Sequence, residues 1–271
     1  MGALNVSPES FHGGSVHRDP EALLEAARGM VEAGAHLVDV GARSTAPYRD
    51  TDIDEGEEIR RLGRAVAILA GALGVPVSAD TARAGPARAA LQAGARVIND
   101  VSGAADPELA RLVAEGGAGF IGMAAPAPGD DLAAGPIATV AACLRRALAR
   151  ARGAGIPDER IVLDPGIGFF RAGPIAWDEW DVAVLAGLPR LRELGRPLCV
   201  AVSRKSFIGA ITDRTSPEDR LAGSLAATAL AVAHGAALIR THDVRETLDA
   251  VRVAARVRAA RPDRAAPGQG A

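Results

Sequence analysis

VPVSADTARAGPARAALQAGARVINDV, residues 75–101, holds one complete structural unit. Its opening run (75–80, VPVSAD) and closing run (96–101, RVINDV) are short, rich in Val, Ile and small residues, and lack regular polar alternation. That is the pattern of strands covered on both faces. Between them, residues 84–94 carry Ala and Leu at helical spacing, and Gly94 stands where a left-handed residue stops a helix before the next strand. Parallel strands cannot be joined by a tight turn and need such a crossover, so the stretch predicts a strand–helix–strand unit of a parallel sheet. Both strands end in polar groups, Asp80 and Asn99–Asp100.

The same unit recurs along the chain. Strands are predicted near 3–6 (ALNV), 36–41 (HLVDVG), 75–80, 96–101, 118–123 (AGFIGM), 160–165 (RIVLDP), 197–203 (PLCVAVS) and 236–242 (AALIRTH). Helices fit near 20–34, 54–74, 84–94, 107–116, 136–155, 178–195, 217–234 and 245–259. EAGAH, QAGAR, EGGAG, GAGIP and AHGAA each set a glycine just past a helical run. Ser216–Pro217 reads as N-cap and first residue of the seventh helix, with Asp219 in its first turn. Eight such units favour a closed barrel over an open sheet, because closure leaves no strand edge. The expected fold is an α/β, single-domain (β/α)8 TIM barrel over residues 1–260, followed by a Pro/Gly-rich disordered tail, 261–271.

Composition narrows the function. A barrel of this kind uses about 250 residues, and the chain has 271. Only 3% of residues are aromatic against 48% apolar, so the core is packed from Ala, Val, Leu and Ile. A net charge of −2 with dispersed Arg and Glu gives no basic face for nucleic acid and no membrane-binding patch. No stretch reads as a signal peptide or a membrane span, and Cys143 and Cys199 lie inside apolar patterns, so a cytoplasmic home is expected. Of 31 basic residues, Lys205 is the only lysine. Codon drift explains lost lysines but not the place of the one retained.

In a barrel the C-terminal ends of the strands form the functional rim. There the sequence places Asn5, the loop GARSTAPY, Asp80–Thr81, Asn99–Asp100, Met123, Asp164 in DPGIGF, SRKS at 203–206 and RTHD at 240–243. Polar groups at so many apolar strand ends are costly to bury without a polar ligand or mutual hydrogen bonds. Singly, each has a structural reading: Asp80 and Asp100 as caps of the following helices, Asn99 as a tie between loops, His36 and His234 as packing. As a set they point to binding. Asp80, Asn99 and Asp164 match the edge of a flat heterocycle rich in N–H groups, Lys205 its carbonyl, and Arg240 and His242 an anion. Gly166 and Gly168 allow a loop to approach a ring closely. The lack of HExxH, of a cysteine cluster and of an obvious His/Asp pairing for Ser203 or Ser206 gives zinc and serine hydrolases little support.

The blocks MGALNVSPESF, DVGARSTAP, SADT, INDVSG, LDPGIGF, VSRKSFIG, RLAGSLA and RTHDV, spread from residue 1 to 256, resemble in order and spacing those of the dihydropteroate synthases, the pterin-binding family. The resemblance implies a transferase of folate biosynthesis that joins 6-hydroxymethyl-7,8-dihydropterin pyrophosphate to 4-aminobenzoate and expels pyrophosphate, with Mg2+ as cofactor and a homodimer as the usual state. It implies pterin recognition by Asp80, Asn99, Met123, Asp164, Phe169 and Lys205, with Ser206 near the aminobenzoate. Asn5, Thr45, Arg240 and His242 would hold the pyrophosphate and its Mg2+, Asn5 touching the metal. Asp80, Asp164 and Lys205 are expected to carry catalysis. In the family the reaction looks dissociative: pyrophosphate leaves first, and the amine traps the pterin methylene cation.

The chain departs from the family's pattern in its loops. Ala46 stands where the family has Arg, Arg43 where it has Glu, Ala124 where it has His, and GFFR puts Arg171 where a basic residue follows GFG. The first loop reads SFHGGS in place of SFSDGG, and Met1 falls inside the first strand without the family's short extension. Losing an anion-binding Arg at Ala46 is expected to cost about 1.5–3 kcal/mol, roughly 10- to 150-fold in affinity or rate. Arg43 or His12 is expected to supply the missing donor. SPESF and STAPY are also similar to an archaeal-like branch whose acceptor is a ribosylated aminobenzene phosphate. Two other functions fit parts of the pattern: a methyltransferase using a methyl-tetrahydropterin, and a non-catalytic pterin-binding protein.

Overall fold

The computed structural model describes residues 1–6, 19–43 and 53–260. His12, Thr45, Ala46 and the 261–271 segment lie outside the described residues. The strands are β1 (Gly2–Asn5), β2 (Val38–Gly41), β3 (Val77–Asp80), β4 (Val97–Asp100), β5 (Gly119–Met123), β6 (Ile161–Asp164), β7 (Cys199–Val200) and β8 (Leu238–Ile239). β1 to β6 pair in chain order and β7 pairs with β8, all parallel. Isolated bridges, Leu163 to Leu198 and Gly2 to Thr241, join the two sheets and close the circle. At the closure Ala3 N donates to Thr241 O (2.8 Å) and Thr241 N to Met1 O (3.0 Å).

Around this parallel sheet run α1 (Pro20–Glu32), α2 (Glu55–Ala70), α3 (Ala84–Gln92), α4 (Pro107–Glu115), α5 (Pro136–Gly153), α6 (Trp177–Ala186), α7 (Leu188–Leu191), α8 (Ser206–Thr212), α9 (Leu221–Ala233) and α10 (Val244–Ala259). Asp19, Asp54 and Asp106 cap α1, α2 and α4, their carboxylates accepting from Ala22, Glu57 and Glu108 N. Gly34, Gly94, Gly117, Gly155 and Gly235 end their helices in the left-handed region, as their spacing predicts. Among the described residues, no helix is long and apolar enough to cross a membrane.

The differences from expectation have local causes. β7 and β8 are far shorter than the runs at 197–203 and 236–242, because the amides of both Ala237 and Leu238 donate to Leu198 O, two residues facing one, and the ladder slips. The helix expected over 178–195 breaks into α6, α7 and a 3₁₀ turn, Arg192–Leu194. Pro189 lacks the N–H that would reach Leu185 O, and His234 Nδ1 donates to that carbonyl instead at 3.0 Å. His234 is thus structural as expected, whereas His36 is exposed and does not pack.

The seventh helix expected from 217 begins as a 3₁₀ turn, Pro217–Arg220, and becomes α-helical only at Leu221. The Arg220 guanidinium holds the carbonyls of Arg204, Arg214 and Thr215 at 2.5–3.1 Å, tightening that turn, and Ser216 makes no side-chain cap bond. The same cage explains Gly209, where an added Cβ would lie 2.5 Å from Arg214 O and 2.6 Å from Arg220 Nε. α8 itself is absent from the sequence prediction. Neither Asp80 nor Asp100 caps a helix: Asp100 holds its own turn, accepting from Ser102 N and Ala104 N at 2.7 Å. Ala84 N at the start of α3 donates instead to Asp106.

Candidate active site

Strand register sets the rim. Asn5 pairs with Gly41, Gly41 with Asp80, and Asp80 with Asn99, while Met123 pairs with Asp164. Side chains two apart share a face, so Asp39 and Ser78 lie one layer below Gly41 and Asp80, inside the barrel. Val38, Val40, Ile98 and Leu163 point the other way and are fully buried under the helices.

On the β2–β4 side, charge organises the mouth. Asp39 is fully buried, and its Oδ2 accepts from Asn99 Nδ2 at 3.1 Å and from Arg240 Nε at 2.7 Å. Arg240 Nη2 donates to Asp80 Oδ2 at 3.0 Å, so one guanidinium from the end of β8 spans carboxylates of β2 and β3. The second oxygens, Oδ1 of Asp39 and of Asp80, are buried without a hydrogen-bond partner among the described residues. Burial pushes the Asp80 carboxyl up to about 7, with Arg240 opposing and Asp39 and Glu58 adding to the rise. Burial alone would depress Arg240, but Asp39 and Asp80 outweigh it and hold the guanidinium above its ordinary value.

In the first turn of α2, Glu58 is 1% exposed and accepts from Thr81 Oγ1 (2.7 Å) and Arg83 Nη1 (3.2 Å), with Arg43 Nε at 3.9 Å.

On the β6–β7 side, backbone turns organise the mouth. Asp164 Oδ1 accepts from Gly166 N at 2.8 Å. Burial raises the Asp164 carboxyl, while that bond and the positive charges of Lys205 and Arg240 pull it down. Gly166 (φ 70°) approaches Ala124 O so closely that a Cβ would lie 2.7 Å from it. Lys205 sits before α8 with its Nζ 4.7 Å from the centre of the Phe169 ring. Burial lowers its ammonium to about 8, Asp164 and Asp181 opposing, Arg240 and Arg171 adding to the fall. Asp181 of α6 accepts from Gly168 N at 2.7 Å. Arg171 donates to Gly168 O (3.0 Å) and Ser206 Oγ (2.7 Å), its guanidinium 4.4 Å over the Trp177 ring. At the end of β8, His242 Nδ1 lies 3.1 Å from Ser203 Oγ, and Arg204 pairs with Asp243 at 2.5–2.9 Å.

The structure therefore gathers the polar residues expected at the strand ends, Asn5, Asp80, Asn99, Asp164, Lys205, Ser206, Arg240 and His242, on one rim together with Met123, and sets Phe169 beside Lys205. Thr45 lies outside the described residues. Three residues of the site went unread in the sequence: Asp39, Glu58 and Asp181. The first was readable as a carboxylate in the middle of an otherwise apolar strand.

A family model described as pterin binding enzyme matches residues 1–242. The chain is 38% identical over 260 residues to a dihydropteroate synthase of Synechocystis sp., covering 94% of this chain and 88% of that protein. A solved structure of the Yersinia pestis dihydropteroate synthase with a sulfonamide drug complex aligns at TM-score 0.86 and 32% identity, over 96% of this chain and 93% of that one. The Xanthomonas albilineans dihydropteroate synthase, solved with 4-aminobenzoic acid, aligns at TM-score 0.83 and 38% identity, over 96% and 92% of the two chains.

Proposed function

The chain belongs to the pterin-binding enzyme family, and on that premise we infer that it is a dihydropteroate synthase-type transferase of folate biosynthesis. It condenses 6-hydroxymethyl-7,8-dihydropterin pyrophosphate with the arylamine 4-aminobenzoate and releases pyrophosphate. One observation carries the reading. Asp80, Asn99, Asp164 and Lys205 ring a single mouth, and Asp39 and Asp80 each bury an oxygen that no donor among the described residues meets. Such oxygens cost free energy unless ligand N–H groups satisfy them, and a pterin presents N–H donors along one edge and a carbonyl beside them.

In this reading Asp80 and Asn99 take the donor edge, Lys205 donates to the carbonyl, and Met123 and Phe169 flank the ring. Asp164 stabilises the positive charge that grows on the pterin as pyrophosphate departs, a preorganised electrostatic effect rather than covalent catalysis. His242 and the remaining donors of Arg240 face the leaving group: a guanidinium carries five N–H groups, and Asp39 and Asp80 take only two of its nitrogens. Ser206, held by Arg171, stands on the acceptor side.

Mg2+ is bound by few protein oxygens and otherwise by phosphate oxygens and water. The amide oxygen of Asn5, neutral and half-buried at the end of β1, fits that role. Bound there, the metal supplies charge neutralisation on the pyrophosphate. A homodimer is part of the same proposal, paired through the outer helices, where Leu230 of α9 and Val253 and Val257 of α10 are exposed; light scattering tests it.

The acceptor is tested by following pyrophosphate release from the pterin ester with Mg2+ and a panel of amines. Release with 4-aminobenzoate is the expected result. Release only with a ribosylated aminobenzene phosphate would assign the chain to the archaeal-like branch. Tight pterin binding with no release would make it a non-catalytic binding protein.

A further inference from the structure

We propose that Asp181, on α6 outside the strand ring, is a positioning residue of the pterin pocket that holds the Gly168 peptide in place and supports the ammonium of Lys205. The inference rests on reading the rim as a pterin pocket. Gly168 is clamped at both ends, its N–H by Asp181 Oδ1 at 2.7 Å and its carbonyl by Arg171 Nε at 3.0 Å. The stem of Lys205 lies against it: a Cβ on Gly168 would be 3.0 Å from Lys205 Cδ and 3.2 Å from Nζ, and φ of 89° already excludes most side chains. The next residue, Phe169, turns its ring to the same ammonium. A shift of the Gly168 peptide therefore moves two proposed walls of the pocket together.

The identity of residue 181 adds a second argument. Asp181 is 1% exposed, and its Oδ2 has no hydrogen-bond partner among the described residues. A buried carboxylate with a single hydrogen bond costs more than an amide that would accept the same N–H, so the charge itself has a use. Lys205 is where it acts. Burial, Arg240 and Arg171 all press its ammonium toward the neutral form, and Asp164 and Asp181 oppose them. The charges acting on Asp181 are Arg171 of the loop and Lys205 before α8, which favour its ionised form, and Asp178 of its own helix, which does not. Burial lifts its carboxyl to about 6, so near neutrality Asp181 is ionised while Lys205 is protonated.

The test compares wild type, Asp181→Ala and Asp181→Asn by titration calorimetry with 6-hydroxymethylpterin and by kcat/KM against pH, with thermal melts confirming that each is folded. Asp181→Ala is expected to weaken pterin binding about 10-fold or more, with KM rising more than kcat falls. Asp181→Asn keeps the acceptor and should recover affinity to within about threefold of wild type, yet shift the alkaline limb set by Lys205 to lower pH by roughly 0.5. Equal pterin affinity in wild type and folded Asp181→Ala would overturn the inference, as would an unmoved alkaline limb in Asp181→Asn. Failure of the wild type itself to bind the pterin would overturn the pocket reading instead.

Discussion

The β2–β4 side of the mouth and its β6–β7 side present similar polar groups but fix them differently. On the first side, Asp39, Asp80, Asn99 and Arg240 hold one another, side chain to side chain, across strands far apart in sequence. On the second, Asp164 and Asp181 each grip a backbone N–H, at Gly166 and Gly168, and so shape a loop against which Lys205 lies. The first arrangement depends on charge balance, whereas the second depends on glycines that let backbone pass where a Cβ would clash. Substitutions that unbalance the charges of the first side should therefore lower stability, and those that crowd or move the backbone of the second should change ligand fit.

The sharpest way to break the contrast is Arg240→Met, which leaves two buried carboxylates facing each other. Removing one partner of a buried ion pair costs about 3–5 kcal/mol, which lowers Tm by roughly 10 °C in a chain of this size. A melt within about 2 °C of wild type would show that the charge balance does not hold this side together. On the loop side, Lys205→Arg keeps the charge but swaps a compact ammonium for a planar fork in a space bounded by Gly168 and Phe169. Pterin affinity should fall about 10-fold or more. Unchanged affinity by calorimetry would return the lone lysine to codon drift.

Asp80→Asn separates the two sides through pH. Burial raises the Asp80 carboxyl from 3.8 to about 7 on folding. Between those values the native state keeps a proton that the unfolded chain has released, so this group's contribution to stability falls as pH rises and levels off above about pH 7. Asparagine removes that dependence. The stability of Asp80→Asn relative to wild type, from denaturant melts, should therefore climb with pH through this window, and a flat difference would contradict the assignment. The smallest effect is expected at Arg43, whose guanidinium stands 3.9 Å from Glu58 while Thr81 and Arg83 bond that carboxylate more closely. Arg43→Ala should cost under about 1 kcal/mol in stability. It should also raise KM for the pyrophosphate ester several-fold, and an unchanged KM would remove Arg43 as the substitute for the donor missing at Ala46.

The barrel was legible because its signals are local. A helical run, a glycine and an apolar strand ending in Asp or Asn say where each unit turns, and Asp80, Asn99 and Asp164 stand at those ends. The missed features are non-local. Asp39 lies in mid-strand, and its importance comes from a partner 201 residues away, Arg240. Glu58 reads as the acidic first turn of an exposed helix until Thr81 and Arg83 are brought over it. Asp181 shares α6 with Trp180, and nothing in that helix marks which acidic residue turns inward to Gly168. α8 went unread because seven residues, SFIGAIT, are too few to establish a helical period, and Arg220 stabilises the turn after it from outside.

In the proposed reaction the rim acts through fixed charge on a cationic pterin, and Asp164→Asn isolates that charge. The amide can still accept from Gly166 N, so the loop keeps its shape while the negative charge is lost. Turnover of the pterin pyrophosphate with 4-aminobenzoate and affinity for 6-hydroxymethylpterin should separate: kcat falling about 100-fold or more, affinity less than about 10-fold. A kcat close to wild type, or a loss shared equally between binding and turnover, would contradict it.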